Sequence, residues 1–125
     1  MKKLMLLSAL FTFACSADHV LPTNTVEGKW LWSPTENKAE ANTMYEFVAG
    51  IKYTSYADCG PELCKEDDWI ALDDSDRIPG SFSYTFDGVT LTTDGNAQAV
   101  TFECGGGKMY FSNGGKVWRL SADCD

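Results

Sequence analysis

Histidine is almost missing from this 125-residue chain: there is one, His19. Anything folded after it therefore lacks the base of a Ser-His or Cys-His pair, which removes most nucleophilic catalysis. Positive charge is scarce as well. Ten Lys and Arg stand against eighteen Asp and Glu, a net charge of −8. That sign repels phosphate backbones and excludes nucleic acid as a natural partner. Helical periodicity is nearly absent after the first fifteen residues, so a helix bundle is excluded. No phosphate-binding glycine loop is present. Gly105-Gly106-Gly107-Lys108 lacks the trailing Ser/Thr and follows a strand pattern, which reads as a hairpin turn. The cysteines are not spaced CxxC and no histidine accompanies them, so no zinc site or other metal site is expected, and no cofactor.

What is present begins with Met1-Lys2-Lys3, a basic start, followed by Leu4–Ala14, uncharged and almost entirely apolar. That is the n-region and h-region of a signal peptide, residues 1–14. It is shorter than the roughly 20 apolar residues a permanent span requires. Residues 15–25 read as a short tether and 26–125 as one domain. Without Lys2 and Lys3 the mature part has 8 basic against 18 acidic residues, a net charge of −10. Such a surface favours solubility and a basic partner.

There are five cysteines, Cys15, Cys59, Cys64, Cys104 and Cys124. Four in a small exported domain imply two disulfides, with three possible connectivities. Cys59 and Cys64 bracket Gly60-Pro61-Glu62-Leu63, a turn sequence that brings its ends together, so this pair closes most easily. Cys104–Cys124 remains. Strands near 97–104 and 116–121 are first and third of a meander and run the same way, so their ends emerge at one barrel edge within reach of a folded-back tail.

Period-2 alternation is frequent. Val26, Gly28, Trp30 and Trp32 share a face; Tyr45 and Phe47 flank Glu46; Ile51 and Tyr53 flank Lys52; Phe82, Tyr84 and Phe86 alternate with Ser and Thr. Asp87-Gly88, Asp94-Gly95 and Asn113-Gly114-Gly115 mark tight turns. The pattern predicts eight or nine strands, at 26–32, 43–49, 51–57, 68–72, 81–86, 88–93, 97–104, 107–112 and 116–121. The segment 68–72 has one helical turn as its alternative. A flat meander would expose long edges, and closure removes them. The expected fold is all-β: a small antiparallel up-and-down β-barrel, with a β-sandwich as the alternative.

Two resemblances bear on identity. Thr12-Phe13-Ala14-Cys15 resembles the lipobox of bacterial lipoproteins, in which the cysteine after the cleavage site takes up lipid. The competing reading is ordinary cleavage after Ser16 or Ala17, with Cys15 discarded. Gly28-Lys29-Trp30 resembles the Gly-x-Trp motif on the first strand of lipocalins and the wider calycin group, and Arg119 stands where those families place a basic residue on the last strand, over the tryptophan. The resemblance implies a lipocalin-like barrel with a cation–π contact closing one end. It also implies that Trp118 and Leu120 face away from Arg119. The whole resembles small lipocalin-like lipoproteins of Gram-negative, particularly Bacteroidetes-type, bacteria. That would place the protein in the cell envelope, held through Cys15 at the outer membrane and facing the periplasm or cell surface, as a monomer.

Two functional expectations follow. Tyr45, Phe47, Tyr53, Phe82, Tyr84 and Phe86 are the candidate lining of a barrel that holds a small apolar or amphipathic ligand; the plain alternative is that they fill it. A surface of −10 also suits a protein-interaction lipoprotein, such as an inhibitor of a cationic hydrolase of the lysozyme kind. Enzymatic activity is not expected, although a carboxylate pair of the glycosidase type has ample acidic residues to draw on. The acidic run Asp73-Asp74-Ser75-Asp76 lacks the EF-hand glycine, since Pro79 occupies the sixth position counted from Asp74, and reads as a solvated loop.

Overall fold

Alternating side chains need an inside and an outside, and the chain supplies both by closing on itself. The computed structural model describes residues 24–124; the expectations for the signal peptide, Cys15 and His19 lie outside that range. Eight strands follow one another: β1 (Gly28–Trp32), β2 (Thr43–Val48), β3 (Ile51–Ser55), β4 (Phe82–Phe86), β5 (Thr90–Thr93), β6 (Asn96–Glu103), β7 (Lys108–Phe111) and β8 (Lys116–Arg119). Each pairs antiparallel with its neighbour in sequence, and β8 pairs back onto β1, so the sheet is a closed up-and-down barrel. Closure excludes the sandwich.

Two turns fix much of the register. Ala49-Gly50 (φ 52° and 82°) joins Val48 to Ile51, and Asp94-Gly95 (φ 51° and 80°) joins Thr93 to Asn96. Two consecutive positive φ values are the backbone of a type I′ hairpin, whose twist matches that of the strands. Opposed residues share a face. Trp30 opposite Arg119 therefore puts both inside, and Leu31 opposite Trp118 puts both outside.

Of the two readings for 68–72, the helical turn forms and the ninth strand does not. Its residues lie in and just beyond a short helix, α1 (Glu66–Ile70), in the long β3–β4 connection. Asp68 accepts a hydrogen bond from the Lys65 backbone N–H at 2.7 Å, closing the first turn. The helix presses Trp69 onto the outer wall, where it is buried with Leu31, Ala41 and Met44. The domain thus has two cores. One fills part of the barrel around Trp30, Phe47, Leu91, Val100, Met109 and Val117. The other lies outside, under α1, and Leu120 packs against it. Leu120 thus faces away from Arg119, and Trp118, opposite Leu31, does the same.

Both disulfides are present, Cys59–Cys64 with Cα atoms 5.3 Å apart and Cys104–Cys124 at 6.2 Å. The second holds the C-terminal tail against Gly107, where an added Cβ would lie 2.5 Å from the Cys124 sulfur.

Candidate functional site

One end of the barrel is shut. Trp30 is fully buried, and its Nε1–H donates to the Val26 carbonyl at 2.8 Å. The Arg119 guanidinium lies 4.2 Å from the Trp30 ring centroid. It donates to three backbone carbonyls, Glu27 at 2.7 Å, Thr25 at 2.7 Å and Gly106 at 3.2 Å. It therefore ties the segment before β1 and the β6–β7 connection to β8. Burial pulls its pKa below the usual arginine value, although an arginine stays charged in a protein. Gly28 explains its own identity: φ is +123°, and a Cβ there would meet Arg119 Nη1 at 2.6 Å. The expected cation–π contact of the Gly-x-Trp strand is thus present, and it is structural.

The opposite end is open. Successive hairpin turns of an up-and-down barrel lie at alternate ends, so the β5–β6 and β7–β8 turns sit away from Gly106. They rim a cup of about 370 Å³ that reaches down to Phe47, Leu91 and Val117. That volume falls at the low end of the ~300–1,000 Å³ of small-molecule sites. Trp32, Tyr45, Phe82 and Phe111 form apolar walls, with Thr93, Asn96, Gln98 and Asn113 adding polar groups. Lys52 projects into the same space, its Nζ 4.2 Å from the Tyr45 ring centroid and 6.0 Å from that of Phe47. Burial lowers the Lys52 pKa and raises that of Tyr45, to which Tyr56 adds. The Gln98 Oε1 is buried and has no hydrogen-bond partner among the described residues.

No protein-family model, curated protein or solved structure matches this chain.

The six aromatic candidates divide three ways. Tyr45, Phe47 and Phe82 line the cup. Tyr84 and Phe86 fill the closed half: Tyr84 packs edge-on to Phe47 at 5.0 Å, and Phe86 to Phe102 at 5.9 Å. Tyr84 also reaches the shut end, where its hydroxyl donates to Glu27 at 3.1 Å. Its pKa is raised, by burial first and then by Glu27. Tyr53 is a correction. It pairs with Glu46 on the outer face and stacks under Arg77, whose guanidinium is 3.8 Å from its ring centroid and bonds Glu46 at 2.8 Å. Lys52 takes the inward place that Tyr53 was expected to hold. The barrel is therefore neither wholly filled nor wholly hollow.

In the acidic loop, local bonds occupy the carboxylates. Asp73 accepts from Ser75 N–H and Oγ, Asp76 from Asp73 N–H, and Asp74 pairs with Arg77. Asp68 and the Cys59 and Cys64 sulfurs are close together, but the two sulfurs are bonded to each other.

Proposed function

We propose that this protein is an exported, membrane-tethered lipoprotein of the lipocalin-like kind, whose barrel binds a small amphipathic ligand in its open end. The observation that carries this reading is the asymmetry of the barrel. Trp30, Val100, Met109 and the Arg119 clasp close one half, and the other half keeps an aromatic-walled cup of about 370 Å³. A concave site with aromatic walls and convergent polar groups on a rigid frame has the form of a small-molecule site. The lipobox-like Ala14-Cys15 supports the tether.

Binding is tested with N-phenyl-1-naphthylamine, a neutral aromatic probe that fluoresces when taken out of water. The chain is exported as its full-length product carrying Cys15→Ser, so that no lipid competes for the probe. Saturable enhancement that Thr93→Trp abolishes, with the near-ultraviolet dichroism unchanged, supports the reading. Enhancement indifferent to Thr93→Trp sinks it. Fatty-acid labelling tests the tether: label that persists in Cys15→Ser removes that part of the proposal.

A second reading has one observation in its favour. The disulfide-pinned loop Cys59–Cys64 exposes Leu63 at 60%, near Tyr56 in sequence at 53%, among Asp58 and Glu62. An apolar tip within acidic residues suits a basic protein surface. Inhibition of lysozyme that weakens with salt and is lost in Leu63→Asp would favour it.

A further inference from the structure

The cup has one cationic side chain, Lys52, and one acidic side chain, Asp94, which belongs to the rim turn. Among the described residues no carboxylate lies within ion-pair distance of Lys52, as is also true of Lys29, Lys65 and Lys108; Lys52 differs from these in standing inside the cup. A lysine on an inward strand position can usually lead its ammonium out to water along its four-carbon stem. Here the ammonium stays over the Tyr45 ring. Aromatic faces hold a cation but do not neutralise it, and a partly buried cation without a counter-charge is unfavourable. Its lowered pKa has the same origin. In the same cup the buried Gln98 Oε1 has no donor among the described residues.

Resting on the ligand-binding reading above, we infer that the ligand is a small organic anion: a flat apolar body carrying a carboxylate or sulfonate that pairs with Lys52, and an N–H or O–H that donates to Gln98. The walls formed by Trp32, Phe82 and Phe111 take the apolar body. The anion supplies the charge that the protein does not place beside Lys52, and the donor satisfies Gln98. The acidic surface outside makes this selection local to the cup. Anions that lack an apolar body gain nothing from the aromatic walls and are left to the surrounding negative charge.

A matched pair of probes tests this. N-phenyl-1-naphthylamine and 1-anilinonaphthalene-8-sulfonate share the aromatic frame and the N–H, and only the second carries an anion. Dissociation constants are measured by fluorescence for the exported full-length product carrying Cys15→Ser, alone and with Lys52→Met or Lys52→Arg. The sulfonate is expected to bind about tenfold or more tightly than the neutral probe, the contribution of one charge-assisted hydrogen bond. Lys52→Met should erase that preference, bringing the ratio of the two dissociation constants to about one, and Lys52→Arg should retain it. Equal affinities in the wild type, or a preference that survives Lys52→Met, overturn the inference and leave ligand binding standing. Failure of both probes to bind overturns the cup reading itself. Near-ultraviolet dichroism of each variant separates binding by a native barrel from binding by a loosened core.

Discussion

Removing the clasp at the shut end should unfasten the fold in a measurable way. Trp30 is fully buried, with its N–H bonded to Val26. Trp30→Ala removes an entire indole from the inner core and should cost about 3–5 kcal/mol. Arg119→Ala deletes three guanidinium–carbonyl bonds. Bonds to charged groups contribute about 1.5–3 kcal/mol each in buried settings, but this guanidinium is only half-buried and water can replace part of what is lost. The expected cost is about 2 kcal/mol in total. Arg119→Lys keeps the charge over the ring but loses the fork, so it should recover about half of that. The two sites touch, so their effects should not add. A double-mutant cycle should return a coupling of about 1 kcal/mol, the cation–π share. The assay is urea unfolding followed by far-ultraviolet dichroism, with midpoints and slopes compared. That is a large share of the about 5–15 kcal/mol total stability of such a domain; where the alanine does not fold, Trp30→Leu serves, since it keeps apolar volume without a ring face. Losses that add to within about 0.3 kcal/mol would refute the clasp, as would a stable Trp30→Ala protein.

Three further outcomes are expected. Replacing Cys104 and Cys124 by Ser opens a link across 20 residues and should lower stability by about 3 kcal/mol; an unchanged urea midpoint would contradict it, as would a non-reducing peptide map joining Cys59 to either residue. Gly28→Ala should destabilise clearly more than Gly50→Ala, because both positions have positive φ but only Gly28 is backed by Arg119 at 2.6 Å; equal losses in urea would show that the close approach does not matter. Backbone N–H bonds from Thr90 and then Val89 hold the Asp87 pKa below the usual carboxylate value, so its contribution is complete above the unfolded pKa of about 4 and fades as pH falls through the folded value; Asp87→Asn should flatten that acid limb of the urea midpoint, and an unaltered limb would count against the turn.

The barrel was readable because β4, β5 and β6 alternate plainly and because Asp94-Gly95 announces its turn. Gly28, Trp30 and Arg119 were readable for a different reason: their order along the chain resembles that of a known strand pair, and the contact at 4.2 Å is the outcome. The cup was harder. Ile51 and Tyr53 look like the inward residues of β3, since they are apolar and flank a lysine. The Ala49-Gly50 turn decides otherwise: a two-residue loop sets Val48 against Ile51, hence Phe47 against Lys52, and Phe47 is inside. With Phe47 inside, the turn length alone places Lys52 inward and Tyr53 outward. Trp69-Ile70-Ala71-Leu72 suits a strand or one helical turn equally; the partner surface of Trp69, Leu31 and Met44, lies far off in sequence on the outer wall. Helix or strand at such a short segment is decided by tertiary contact, which local pattern does not contain. The way the barrel divides into a filled half and an open half depends on side-chain volumes summed over all eight strands, and no single motif records it.

The open half of the barrel is proposed to be a binding cup. The most direct measurement is a titration of the isotope-labelled exported full-length product, carrying Cys15→Ser, with 1-anilinonaphthalene-8-sulfonate, followed by backbone and side-chain nuclear magnetic resonance. The expected result is saturable shift changes at Tyr45, Lys52, Phe82, Gln98 and Phe111, with contacts between probe protons and those rings, and with Trp30, Trp69 and Trp118 unmoved. Changes centred on the Cys59–Cys64 loop, or on the outer wall beneath Trp69, or no saturable change at all, would contradict it.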